Sequence, residues 1–258
     1  MDNAVKANEA TKVTTLSDSE ILMAMDAAGT LKPITVANLR NVMLGKMTMA
    51  AVCDNVMIAY TQNSDTDANI RYSKVEDWPS RAAANYAIGV LLVSGNQRFI
   101  IAPTEAPTAL KWASASGTDI PNLTNITAKN TAADDFNGKA NTAAIIAGST
   151  SAAVTNTDSY AAGFCNKYSR LDSKNHGIAA GSWYLPSLGQ LLLMHAFKNQ
   201  IKYALSLIAS ASALQETYYW SSTEYSANNA WNLGFSAGNM GGNIKTYELR
   251  VRPVAALA

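Results

Sequence analysis

Along the 258 residues, apolar positions fall into short runs divided by polar, Gly- and Asn-rich text, and their spacing predicts the elements. The longest helical pattern begins after Pro186. Leu188, Leu191, Met194, Phe197, Ile201, Ala204, Leu205 and Ile208 recur at helical spacing, and Ser187 with Gln190 forms a capping box at its start. Shorter helices are predicted over residues 139–147 and 159–168. Apolar runs at 88–93 and 98–102 predict two core strands, joined through Ser94, Gly95, Asn96 and Gln97, where a positive φ is tolerated. Residues 52–60 and 70–75, separated by the turn-rich stretch around Asn63 and Asp67, predict a further hairpin. After Thr217 strands are expected over 219–223, 230–235 and 247–254, forming a small antiparallel sheet. Arg250 and Arg252 alternate with Val251 and Pro253, the period of a strand with one buried face. Both guanidinium groups are expected to lie over the sheet and pair locally.

The first 50 residues read as a leader. Ser17, with Glu20 three positions on, caps a short helix over 21–25 that Gly29 stops, and Thr35 caps a second with Val36, Leu39, Val42 and Met43 on one face. Two such pieces cannot bury a core alone, so the leader is assigned to assembly with partner chains. The expected organisation is an α+β protein with an assembly segment at 1–50, a β linker at 51–78 and a ligand-binding domain at 79–258.

Composition narrows the function. A net charge of +1 with 15% charged residues offers no basic field for nucleic acid. No apolar run approaches the roughly 20 residues needed to cross a bilayer, so membrane insertion is not expected. The polar N-terminus lacks the features of a secretory signal, which implies a chain made in the cytoplasm. Cys53 and Cys165 fit no zinc or redox spacing and are expected as buried free thiols. Asp134-Asp135-Phe136-Asn137-Gly138 has oxygen ligands before a glycine but no closing bidentate acid, so a plain turn is expected and no metal or cofactor. His176 and His195 are framed by neither a serine elbow nor paired acids. No catalytic residue is assigned.

The C-terminal text carries a resemblance. Tyr219-Trp220-Ser221-Ser222-Thr223-Glu224-Tyr225, then Asn229-Ala230-Trp231, Phe235, Gly238, Lys245 and Arg250-Val251-Arg252-Pro253-Val254 resemble the variable proteins of diversity-generating retroelements. With Trp183-Tyr184-Leu185-Pro186-Ser187 and residues 135–142, the chain is most similar to their gut-bacterial and phage branch, which includes the major-tropism-determinant-like proteins. The resemblance covers residues 80–257. It implies a C-type-lectin-like fold, related to that of formylglycine-generating enzymes, in which adenine-specific copying varies fixed surface positions over a constant framework. The late cysteine pair of those enzymes is missing, so their activity is not carried over.

Carried over position by position, the resemblance places interchangeable ligand-binding residues at Asn232, Gly234, Ser236, Asn239, Gly241, Asn243, Ile244, Thr246, Tyr247 and Glu248. Ser226, Ala227 and Asn228 stand at the margin, and Tyr225 and Tyr247 are the anchor candidates. Trp220 and Trp231 are expected in the core. Small, adaptable residues with tyrosine are the types that populate antibody paratopes. The residues around Val13 and Ile34 are similar to the start of many phage tail subunits. The function expected is therefore a phage tail-tip adhesin on the virion, a homotrimer attached to other tail proteins through its N-terminal region and binding a host-surface protein or glycan. A bacterial cell-surface lectin-like adhesin is the alternative, and an enzyme of the same fold a further one.

Overall fold

A computed structural model of the chain describes residues 21–25, 31–35, 55–64, 66 and 68–257. Two units are distinguished, Met1–Val52 and Cys53–Ala258. In the first, β1 (Ile21–Met25) pairs antiparallel with β2 (Leu31–Thr35), Ile21 opposite Thr35. The helix expected over 21–25 is therefore corrected to a strand. Five consecutive apolar residues carry no period that separates helix from strand. Thr35 closes β2 instead of capping a helix. Ser17, Glu20, Gly29 and the helix expected from Val36 lie outside the described residues.

In the second unit, β-branched and apolar runs form β3 (Val56–Gln62), β5 (Asn85–Ser94) and β6 (Gln97–Ile101), the polar edge strand β4 (Arg71–Lys74) is held by pairing with β3, and the short helix α1 (Trp78–Arg81) precedes β5. The Ala-, Thr- and Asn-rich middle is punctuated by β7 (Leu110–Lys111), α2 (Lys129–Ala133), α3 (Gly138–Ala147), α4 (Ala161–Lys167), β8 (Arg170–Leu171), β9 (Gly177–Ile178) and β10 (Trp183–Tyr184). Then come α5 (Leu188–Ala196), α6 (Lys198–Ser206), β11 (Tyr218–Glu224), β12 (Asn229–Gly234), β13 (Asn239–Ile244), β14 (Glu248–Leu249) and β15 (Val254–Ala256).

The main sheet has six strands in the order β10-β15-β6-β5-β3-β4, all antiparallel. The β5–β6 hairpin turns at Gly95, whose φ of +56° suits a glycine. β3 pairs with β5 over its whole length, so the hairpin expected as a linker at 51–78 is instead the flank of this sheet. Val56, Ile58 and Tyr60 already sit in the core, which a free linker could not provide. β15 inserts between β10 and β6, one place in from the β10 edge.

The core is divided in two. One cluster joins Ile58, Val90, Leu92, Phe99 and Ile101 of the sheet to Leu188, Leu191, Met194, Ile201 and Leu205 of the helices, and to Tyr219, Trp231, Leu233 and Phe235. The other gathers Trp112, Ile145, Ala161, Cys165, Leu185, Trp220, Ala230 and Val251. The single long helix expected from Leu188 to Ile208 is two helices, parted where Phe197 leaves helical geometry at φ −103°, ψ 17°. The apolar spacing runs on because both helices press the same stripe into one cluster. Cys165 is a buried free thiol, its pKa pushed up by burial. Cys53 lies outside the described residues.

Candidate functional site

The expected binding residues fall on the sheet β11-β12-β13 and the loops at its ends. Residues directly opposite each other on antiparallel strands share a face, so the rows Gly234–Asn239, Asn232–Gly241 and Ala230–Asn243 lie on one side, and Leu233–Met240 and Trp231–Gly242 on the other. Trp231 and Leu233 pack into the first core cluster, whereas Trp220 and Ala230 pack into the second. The small sheet is therefore covered on both faces around β12, and β13 is its free edge.

This geometry corrects two expected surface positions. Asn232, 1% exposed, and Gly234 are buried, because a central strand covered on both faces offers no surface, whatever the polarity of its side chains. Gly234 lies under the ring of Tyr218, to which an added Cβ would approach within 2.9 Å. The remaining expected residues reach solvent. Asn228, Ser236, Asn239, Ile244, Tyr247 and Glu248 are exposed, and Tyr225, Ser226, Gly241, Asn243 and Thr246 are half-buried. They do not form one patch. The turn at 225–228 and residues 243–248 meet at one end of the sheet, where Lys245 N donates to Asn228 O at 2.9 Å, while Ser236 and Asn239 lie at the other end, across the length of β13.

The strand expected over 247–254 is replaced by two short strands, β14 and β15, and the third strand of the small sheet is β13. Its sequence, Asn239-Met240-Gly241-Gly242-Asn243-Ile244, carries almost no strand propensity. Pairing with β12 imposes the extended conformation.

The two ends of the sheet are held differently. At the far end Lys198 Nζ donates to Phe235 O at 2.7 Å, and Gly238 packs on the His195 ring. At the near end everything turns on Lys245, which is 1% exposed. Its Nζ pairs with Glu224 and donates to Thr118 O at 2.9 Å, it stands 4.9 Å above the Trp112 ring, and its carbonyl accepts from Trp112 N and Ala113 N. Burial pushes the Glu224 carboxyl above the usual range, against the opposing pull of Lys245. A buried ion pair with these extra hydrogen bonds fixes one loop geometry beneath residues 243–248. No family model matches the chain, and no curated protein matches it.

The arginines differ from expectation. Arg252 does not lie over the sheet; it is buried, donating to Ala102 O, Pro103 O, Ser212 O and Ala213 O and to Glu105 Oε2 at 3.1 Å. Glu105 also accepts from the Tyr219 hydroxyl at 2.6 Å, and burial together with that carboxylate raises the Tyr219 pKa. Arg250 stays partly exposed, 3.5 Å from Glu105. Trp220 and Trp231 are buried, their indole N–H groups donating to Leu110 O and Ile126 O. The turn at 134–138 spends the Asp135 carboxylate on Asn137 N, Asn141 Nδ2 and Thr223 Oγ1. Among the described residues no group of three or more His, Cys, Asp or Glu is placed to hold a metal ion, and no helix is long and apolar enough to cross a membrane.

One surface residue was missed by the sequence reading. Tyr218 is 42% exposed and covers Gly234. Alternation along the strand gives no signal for it, since Tyr218 shares a face with the buried Trp220; it is exposed because it opens β11, at the end of the sheet.

Proposed function

We propose that this chain is an adhesin: a receptor-binding protein with a C-type-lectin-like head, carried on a phage tail tip, whose contact surface is the near end of the β11-β12-β13 sheet. The supporting observation is the placement of exposed apolar side chains. Four large hydrophobic residues are exposed among those described, Tyr203, Tyr218, Ile244 and Tyr247; two of them, Ile244 and Tyr247, stand at this end, while Tyr218, opposite Gly234, stands at the far end. Tyr247, 55% exposed, stands two residues beyond the buried Lys245, so a rigid support carries a solvent-facing anchor. Tyrosine in that position supplies contact area at low entropic cost, and binding energy concentrates on such anchors.

On this reading the exposed positions among 225–248 are interchangeable and are diversified by a retroelement. The leader unit assembles the chain as a homotrimer on other tail proteins, which raises avidity without new contacts. The test is adhesion of labelled full-length protein to a panel of bacterial cells. Binding to a subset of strains, reduced about tenfold or more by Tyr247→Ala with the thermal midpoint unchanged, is the expected result. Uniform absence of binding, or binding indifferent to Tyr247, overturns it.

A further inference from the structure

A hollow of about 800 Å³ opens beside the near end of the small sheet. Three segments distant in sequence meet there. β7 runs between two of them: Lys111 pairs with Glu248 of β14 on one side and bridges to Tyr160 on the other. The Trp220 indole N–H, donating to Leu110 O at 2.9 Å, holds β7 against the sheet. Phe164 of α4 and Asp158, just before that helix, complete the walls. Of these residues only Glu248 belongs to the interchangeable set, so most of the hollow is scaffold.

We propose that this hollow is a glycan subsite that takes a neutral or amino-bearing saccharide of a few units, an inference that rests on the adhesin reading and names part of its ligand. Lys111, Asp158 and Glu248 line it without an ion pair or hydrogen bond from their side chains to any described residue, although cross-strand neighbours such as Lys111 and Glu248 are well placed to pair. Their hydrogen-bonding capacity is free for a ligand. Each carboxylate accepts from two adjacent hydroxyls, the ammonium donates to a ring or hydroxyl oxygen, and the rings of Tyr160 and Phe164 offer apolar faces for the C–H side of a pyranose. The volume falls within the range of small-ligand sites. Two carboxylates against one ammonium leave the hollow net negative, which disfavours acidic sugars and favours an ammonium. An apolar ligand is disfavoured because it would strip water from charges it cannot satisfy.

The experiment presents full-length protein to an array of neutral, amino-bearing and sialylated oligosaccharides, alongside Asp158→Asn and Lys111→Ala, both at exposed positions. Retention of neutral or amino-bearing saccharides, weakened about tenfold or more in each variant, is the expected outcome. No retention, a preference for sialylated chains, or retention unchanged in both variants overturns the subsite. Tyr247-dependent adhesion to cells with a blank array overturns the subsite alone. Array binding without any Tyr247-dependent adhesion overturns the adhesin reading instead.

Discussion

Asp172 gathers donors from two parts of the head. Its carboxylate accepts from Thr61 Oγ1 on β3 at 2.8 Å and from the backbone N–H groups of Lys174 and His176 at 2.8 and 2.9 Å. Burial pushes its pKa up, but these hydrogen bonds, with His176 nearby, outweigh it and leave the carboxyl below its usual range. A depressed folded pKa means the folded state favours the carboxylate. The associated stability is present above the ordinary aspartate range of about 4 and is lost as the pH falls through the lowered folded value. Asp172→Asn is therefore expected to be less stable than the natural protein at neutral pH, with the gap narrowing on acidification. Urea unfolding across a pH series checks this, and a gap independent of pH contradicts it.

At the scale of elements, α5 shows how tertiary partners finish what local sequence begins. Gln190 Oε1 accepts from Ser187 N at 3.0 Å, as the capping box implies, but Leu188 N donates to Thr223 Oγ1 on β11 and Gly189 N to Asp135 O. Orphan N–H groups at a helix start need such partners, and these lie 35 and 54 positions away in sequence, at no spacing a local reading detects. The close approach explains Gly189, where an added Cβ would lie 2.6 Å from Asp135 O and 2.7 Å from Ala133 O. Gly241 on β13 is the opposite case, since a Cβ there meets only Asn232 Oδ1, at 3.5 Å. Gly189→Ala is expected to cost about 2 kcal/mol or more, and Gly241→Ala to stay within about 0.5 kcal/mol; chemical denaturation separates them. The same contrast sets what was legible in the sequence. The start of α5 was readable from its helical spacing and capping box, and β5 and β6 from two apolar runs on either side of a Gly-Asn turn. β1, with no period, and β13, with no propensity, were not, because pairing alone determines them. Asn232 was misplaced for a related reason: polarity marks the surface only where a strand has one bared face, and β12 has none.

Across the second unit as a whole, buried residues that hold the fold together and residues exposed to solvent interleave within a few positions. Ile244 and Tyr247 face solvent, and Lys245 between them is the buried link to Glu224, Trp112 and Thr118. Removing Lys245 leaves the Glu224 carboxylate buried without its counter-charge, a loss of about 3 to 5 kcal/mol in comparable pairs, and frees the loop between β13 and β14. Removing the Tyr247 ring strips only exposed area. Lys245→Ala is thus expected to lower the unfolding midpoint and weaken cell adhesion together, whereas Tyr247→Ala weakens adhesion at an unchanged midpoint. Thermal melts and adhesion measured on the same preparations decide the matter. If Tyr247→Ala proved as destabilising as Lys245→Ala, the loop would be one cooperative unit with no interchangeable positions, and a surface built to vary would have no place on this sheet.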